Sequence, residues 1–148
     1  MTITRVISFI AILFLISGLV MVRAFEEALF QDPLHDYFLG NFQLYKVPQL
    51  SYIEQFARTS FRFLINTVLS LWILWFLYKK ESFLNAALYV YLFAFIILTP
   101  IFLALLSVEG ELAKMALFYT RRFLIHPILL FVLVAGFYFL KNKPSVRL

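Results

Sequence analysis

The residues best suited to chemistry fall in Phe118-Tyr119-Thr120-Arg121-Arg122-Phe123-Leu124-Ile125-His126-Pro127. Two adjacent arginines stand at the mouth of an apolar run, and a histidine and a proline follow about one helical turn inside it. An arginine where hydrocarbon begins has two readings. It anchors the helix by snorkelling toward headgroups, or it offers a planar fork to a carboxylate or an anionic headgroup. Helical neighbours point about 100° apart, so only one of the pair faces a given ligand. Arg122 shares a face with His126 at i, i+4 and is the one expected to do so. His126 is either a hydrogen-bonding or proton-carrying group or a partly hydrated structural histidine. Pro127 sits in a first turn, where its missing donor costs little.

Carboxylate partners come from an acidic connection on the same side: Glu26, Glu27, Asp32 and Asp36. Arg23 precedes Glu26 and Glu27 by three and four residues, the spacing at which helical side chains meet. Hydrolytic and metal chemistry find less support. The chain has no cysteine, so no disulfide, thiolate nucleophile or Cys-ligated metal. His35 and His126 are too far apart for a metal-binding pair on one helix. Ser17, Ser60, Ser70 and Ser107 show no base and orienting group beside them. Only four glycines occur, with no phosphate loop. No cofactor is implied, and the chain is expected not to be an enzyme.

Positioning these residues falls to membrane-type elements. Of 148 residues, 64% are apolar and 14% charged, against about 45–50% and 25% in soluble domains. A soluble fold of this size could not hide so much apolar surface. The net charge of +5 sits in single or paired lysines and arginines beside apolar runs, which suits topology and anionic headgroups rather than nucleic acid.

The pattern predicts an all-α integral membrane protein of one domain, residues 1–148, with spans at about 6–22, 63–78, 83–107 and 123–140. The run 6–22 reads as a retained span rather than a signal peptide, being long for an h-region and followed by Arg23. Residues 23–62 form a long, partly helical interfacial connection, broken at Asp32-Pro33. Ser51 and Glu54 fit a capping box, so a helix starts there and lends length to the second span. In that span Asn66, Thr67 and Ser70 are polar, with Asn66 and Ser70 on one face. Pro100 is expected to kink the third span. Residues 108–122 form the second connection, and Lys141, Asn142, Lys143 and Pro144 end the last span. Lysine and arginine counts of the two sides are nearly equal, and the acids, concentrated on one side, favour cytoplasmic termini. Arg62-Phe63-Leu64-Ile65 recurs as Arg122-Phe123-Leu124-Ile125, which is either a duplicated hairpin or coincidence.

Arg23-Ala24-Phe25-Glu26 running to Phe30-Gln31-Asp32-Pro33, Asn66-Thr67 with Ser70, and Tyr119-Thr120-Arg121-Arg122-Phe123-Leu124-Ile125 with Pro127 together resemble the exosortase F system-associated membrane proteins. Length and span layout are similar as well. The family commonly has glutamine where this chain has His126, which argues against an obligatory catalytic histidine. The resemblance implies a multi-pass inner-membrane protein of a Gram-negative envelope. It implies an accessory role beside a membrane-embedded transpeptidase-type protease, which would supply the cysteine this chain lacks. Binding of that enzyme, its substrate helix or a lipid is then expected at an extracytoplasmic surface carrying Arg23, Glu26, Asp32, Arg121 and Arg122, with Asn66 and His126 nearby. Two other readings stand beside it: an independent, possibly oligomeric bundle handling lipid or a small solute, and an assembly factor without a ligand.

Overall fold

The computed structural model describes residues 3–143. Pro144 and Arg147, used above for the end of the last span and for the charge count, lie outside the described residues. Among those described, every regular element is helical: α1 (Ile3–Ala24), α2 (Glu26–Phe30), α3 (Pro33–Leu39), α4 (Tyr52–Tyr78), α5 (Glu81–Leu105), α6 (Glu111–Ile125) and α7 (Ile128–Asn142). Three of them, α1, α4 and α5, are long and apolar enough to cross a membrane. With 22, 27 and 25 residues, each exceeds the roughly 20 that a ~30 Å hydrocarbon layer demands. Large apolar side chains such as Phe14, Phe93, Phe131 and Phe139 stand exposed on the outside, a surface suited to lipid.

The central element is α4. Against it pack α1, α5, α6 and α7, and it buries more of itself than α1 or α5. Its buried stripe is polar at one end (Thr59, Arg62, Asn66, Thr67, Ser70) and apolar beyond (Ile73, Leu74). Phe83 of α5 stacks on Phe137 of α7 at 4.6 Å, and Tyr78 Oη donates to the Val134 carbonyl at 2.7 Å, closing the apolar end.

The helix begun at Ser51 does lend length to the second span, as one continuous α4. The expected capping bond from Ser51 is not made; Glu54 instead lies 3.8 Å from Arg58. The connection 23–62 is mostly helix, and α4 already accounts for its last eleven residues. Asp32 breaks the chain as expected. It is extended, caps α3 with its Oδ1 on the Leu34 amide at 3.0 Å, and has Pro33 at the first helical position. Helix α5 continues through Pro100 to Leu105.

The fourth span departs most from expectation. Residues 123–140 are not one helix: α6 begins at Glu111, inside the expected connection 108–122, and ends at Ile125. Helix α7 restarts at Ile128 with its axis turned by 64°. Each half has 15 residues, about 22 Å, short of a bilayer; together they qualify as one broken span. Proline explains the break. It bars the helical conformation from the residue before it, and His126 is indeed extended (φ −107°, ψ 148°). Pro127 also brings no N–H to the Phe123 carbonyl. Broken helices are tolerated in apolar surroundings only where other groups take up the freed carbonyls. Asn66 does so, donating Nδ2 to the Ile125 carbonyl at 2.8 Å. Upstream, Gly110 starts α6 at φ +126°, a conformation that side chains rarely adopt.

Replacing Asn66 by leucine removes that donor and is expected to cost about 1–3 kcal/mol, the penalty of a buried group left unpaired. Asn85→Leu, at an exposed position of α5, is expected to stay within about 0.5 kcal/mol. Thermal unfolding in detergent compares them, and equal melting temperatures would show that Asn66 does not brace the bend.

Candidate functional site

Four charged side chains from three distant parts of the chain meet where α2, α3, α4 and α6 converge. Glu26 opens α2, Asp32 caps α3, Arg62 lies a third of the way along α4, and Arg121 is four residues before the end of α6. All four are buried, with 3–9% of their surface exposed. Arg62 bridges the two acids: its Nη2 is 2.5 Å from Glu26 Oε2 and its Nη1 3.3 Å from Asp32 Oδ2. Arg121 meets the same Asp32 oxygen from the other side, with Nη2 at 2.8 Å and Nε at 3.3 Å. Two guanidiniums thus balance two carboxylates. Aromatic rings cover the arginines, Phe30 at 4.8 Å from Arg62 Cζ and Phe38 at 5.6 Å from Arg121 Cζ, adding cation–π attraction.

A second shell of charge surrounds this core. Arg23 pairs with Glu26 Oε2, as its spacing requires. His35 places Nδ1 2.6 Å from Glu26 Oε1 and Nε2 3.2 Å from Glu27; the first approach lacks hydrogen-bond alignment, and Oε1 stays unbonded. Arg58 holds the α2–α3 junction by donating to the Phe30 carbonyl at 2.9 Å and to that of Gln31. Farther along, Phe42 stacks on Phe118 of α6 at 5.6 Å, and Lys114 donates to the Gln43 carbonyl at 2.9 Å. These contacts lay the first connection down over the cluster.

Of the residues expected at a site, Arg23, Glu26, Asp32 and Arg121 come together. Arg122 does not join them. It was preferred to Arg121 for its spacing from His126, but it is exposed and makes no ion pair among the described residues. The face of α6 that meets Asp32 is that of Thr120, Arg121 and Leu124. Asn66 lies at the helix break instead of among the charges. His126 sits at that break with its Nδ1 buried and without a hydrogen-bond partner. Two members of the cluster, Arg62 and His35, were not among the candidates. The one signal for Arg62 was the repeated Arg-Phe-Leu-Ile tetrapeptide, which set it at the same level as the second arginine pair. Among the described residues, no three His, Asp or Glu side chains converge as a metal site.

Two hollows flank the cluster. One, of about 460 Å³, runs between α1 and α7 over α4; Ile16, Leu19, Leu130 and Phe131 help form its apolar walls, and Arg23, Glu26, Arg62, Asn66 and His126 its polar end. The other, of about 220 Å³, is lined by Arg23, His35, Arg121, Arg122 and His126 with Phe38, Leu39 and Phe118. Arg23 and His126 belong to both. The site thus combines arginines held by ion pairs with an apolar slot.

Burial alone would raise the Glu26 carboxyl. The charge of Arg62, the hydrogen bond and charge of Arg23, and His35 outweigh it and hold it below the ordinary 4.5. A carboxyl depressed on folding contributes stability that is complete above its ordinary value and disappears as pH falls through the folded value. Melting temperature is therefore expected to decline on acidification below about pH 4.5, and less steeply in Glu26→Gln. Equal slopes in the two proteins would assign the acid sensitivity elsewhere.

Removing one partner of a buried ion pair strands the other charge and costs about 3–5 kcal/mol. Arg121→Met is expected to destabilise by that order, whereas Arg122→Met stays within about 0.5 kcal/mol. Denaturation of the two variants in one detergent checks this, and a reversed order would mean that Arg122 closes the network. Comparison with protein-family models, with curated proteins and with solved structures finds no match for this chain.

Proposed function

We propose that this chain is a non-catalytic accessory subunit of an exosortase-type protein-sorting system in a bacterial inner membrane. In this reading α1, α4, α5 and the bent α6–α7 pair make four crossings, both termini are cytoplasmic, and the ion-pair cluster lies at the extracytoplasmic face. There it binds the sorting enzyme, its substrate or a lipid. The observation that carries the reading is the meeting of the first and last of the three motifs on which the family resemblance rests. Glu26 and Asp32 of the first motif and Arg121 of the last share one buried network, across as many as 89 residues of sequence, with the exposed Arg23 at its edge. A cysteine nucleophile would have to come from the partner, since this chain has none.

A second reading, an independent lipid- or solute-handling bundle that could be oligomeric, has its own support in the slot between α1 and α7, with its polar end and apolar walls.

Co-purification from native membranes in mild detergent, followed by mass spectrometry, separates the two. The accessory reading expects a membrane-embedded cysteine protease or its sorted substrates in the eluate, and expects less of it with Arg122→Ala at unchanged abundance of the bait. A homo-oligomer carrying lipid alone would overturn it. Equal loss of bait and partner in Arg122→Ala would reduce the arginine to a stabilising role.

A further inference from the structure

The two hollows share Arg23 and His126 in their linings, a cationic chamber on one side and an apolar slot on the other. We propose that they form one site for a lipid with a phosphate headgroup, the phosphate among Arg23, Arg122 and His126 and one hydrocarbon chain between α1 and α7. The inference rests on reading this face as a ligand-binding face and names the ligand class.

Charge favours an anion. Four guanidiniums (Arg23, Arg62, Arg121, Arg122) lie in this region against two buried carboxylates, Glu26 and Asp32, with which the first three pair. Glu27 is turned outward, 73% exposed, against His35. No carboxylate lines the smaller chamber. Arg122 stands there unpaired among the described residues, and His126 adds a buried Nδ1 without a partner. A phosphate carries about −1.5 to −2 charge and three acceptor oxygens, which suits several donors converging from different elements better than a planar carboxylate does.

Shape favours a lipid over a free anion. The slot extends from Arg23 to Ile12 along α1 and from Arg62 to Leu77 along α4, about 16 Å and 22 Å at 1.5 Å per residue. One leaflet of a ~30 Å hydrocarbon core is about 15 Å deep. A chain anchored at the cluster would therefore reach the midplane inside the slot. The slot also borders the outer surface, since Val20 and Phe131, 60% and 71% exposed, form part of its walls.

Calorimetric titration of the full chain in a maltoside detergent with dodecyl phosphate tests the site. Saturable one-site binding is expected, weakened about ten-fold by Arg122→Gln through loss of a charge-assisted hydrogen bond. Val20→Trp, which fills the slot from an exposed position, is expected to weaken it comparably, and both variants should melt as the parent does. Inorganic phosphate alone is expected to bind at least about 100-fold more weakly, the equivalent of burying about three or four methylenes. Non-saturable uptake, equal binding by parent and both variants, or inorganic phosphate binding as tightly as dodecyl phosphate would each overturn the lipid site. A sorting protease that co-purifies with a chain unable to bind dodecyl phosphate removes this inference and leaves the accessory reading. Dodecyl phosphate binding without any such partner does the reverse.

Discussion

The desolvated quartet of Glu26, Asp32, Arg62 and Arg121 is the constraint on which the rest of the structure depends. An uncompensated charge in low dielectric costs several kcal/mol even after relaxation, and this quartet lies at the end of a bundle whose exterior is apolar. Every member must therefore find its partner, and the partners are far apart in sequence. Asp32 meets the demand most economically: one oxygen caps α3 while the other receives both arginines. Satisfying it requires α2 and α3 to fold back over α4, and α6 to bring its C-terminal end against them. The first connection is held in place by this requirement together with the buried Leu34 and the packing of Phe38 and Phe42 on Phe118.

The helix break answers a related demand. Pro127 frees backbone groups in a buried region, where water cannot satisfy them. Asn66 lies one helical turn beyond Arg62 on α4, so the residue that braces the bend and the one that bridges the acids share a face of one helix. Bend and cluster are thus tied together by two residues, Arg62 and Asn66, on one face of α4.

Hydropathy and length made α1, α4 and α5 legible, because a membrane-length apolar run has few other uses. Arg23–Glu26 and the break at Asp32-Pro33 were legible as well, since both follow from local spacing and proline sterics. The bend at His126–Pro127 was not. Pro127 looked harmless only on the assumption that the helix began beside it, whereas α6 begins sixteen residues earlier, at Glu111. Arg121 rather than Arg122 takes the ion pair with Asp32, because packing, not spacing from His126, decides which face of α6 meets the cluster. Arg62 and His35 escaped notice because their partners come from non-local packing, which no spacing rule encodes.

Both arginines of the adjacent pair line the smaller chamber, and ion pairing divides their roles. Arg121 turns inward and completes a neutral network, which fixes its position and uses up its charge. Arg122, about 100° around the helix, remains beside a chamber whose lining contains no carboxylate. The 64° bend then turns α7 away from the axis of α6 and leaves His126 at the elbow, in the lining of both chamber and slot. The cations at the slot's own polar end, Arg23 and Arg62, come from α1 and α4, so the proline that interrupts the expected span sets the apolar wall of α7 beside them rather than supplying the charge.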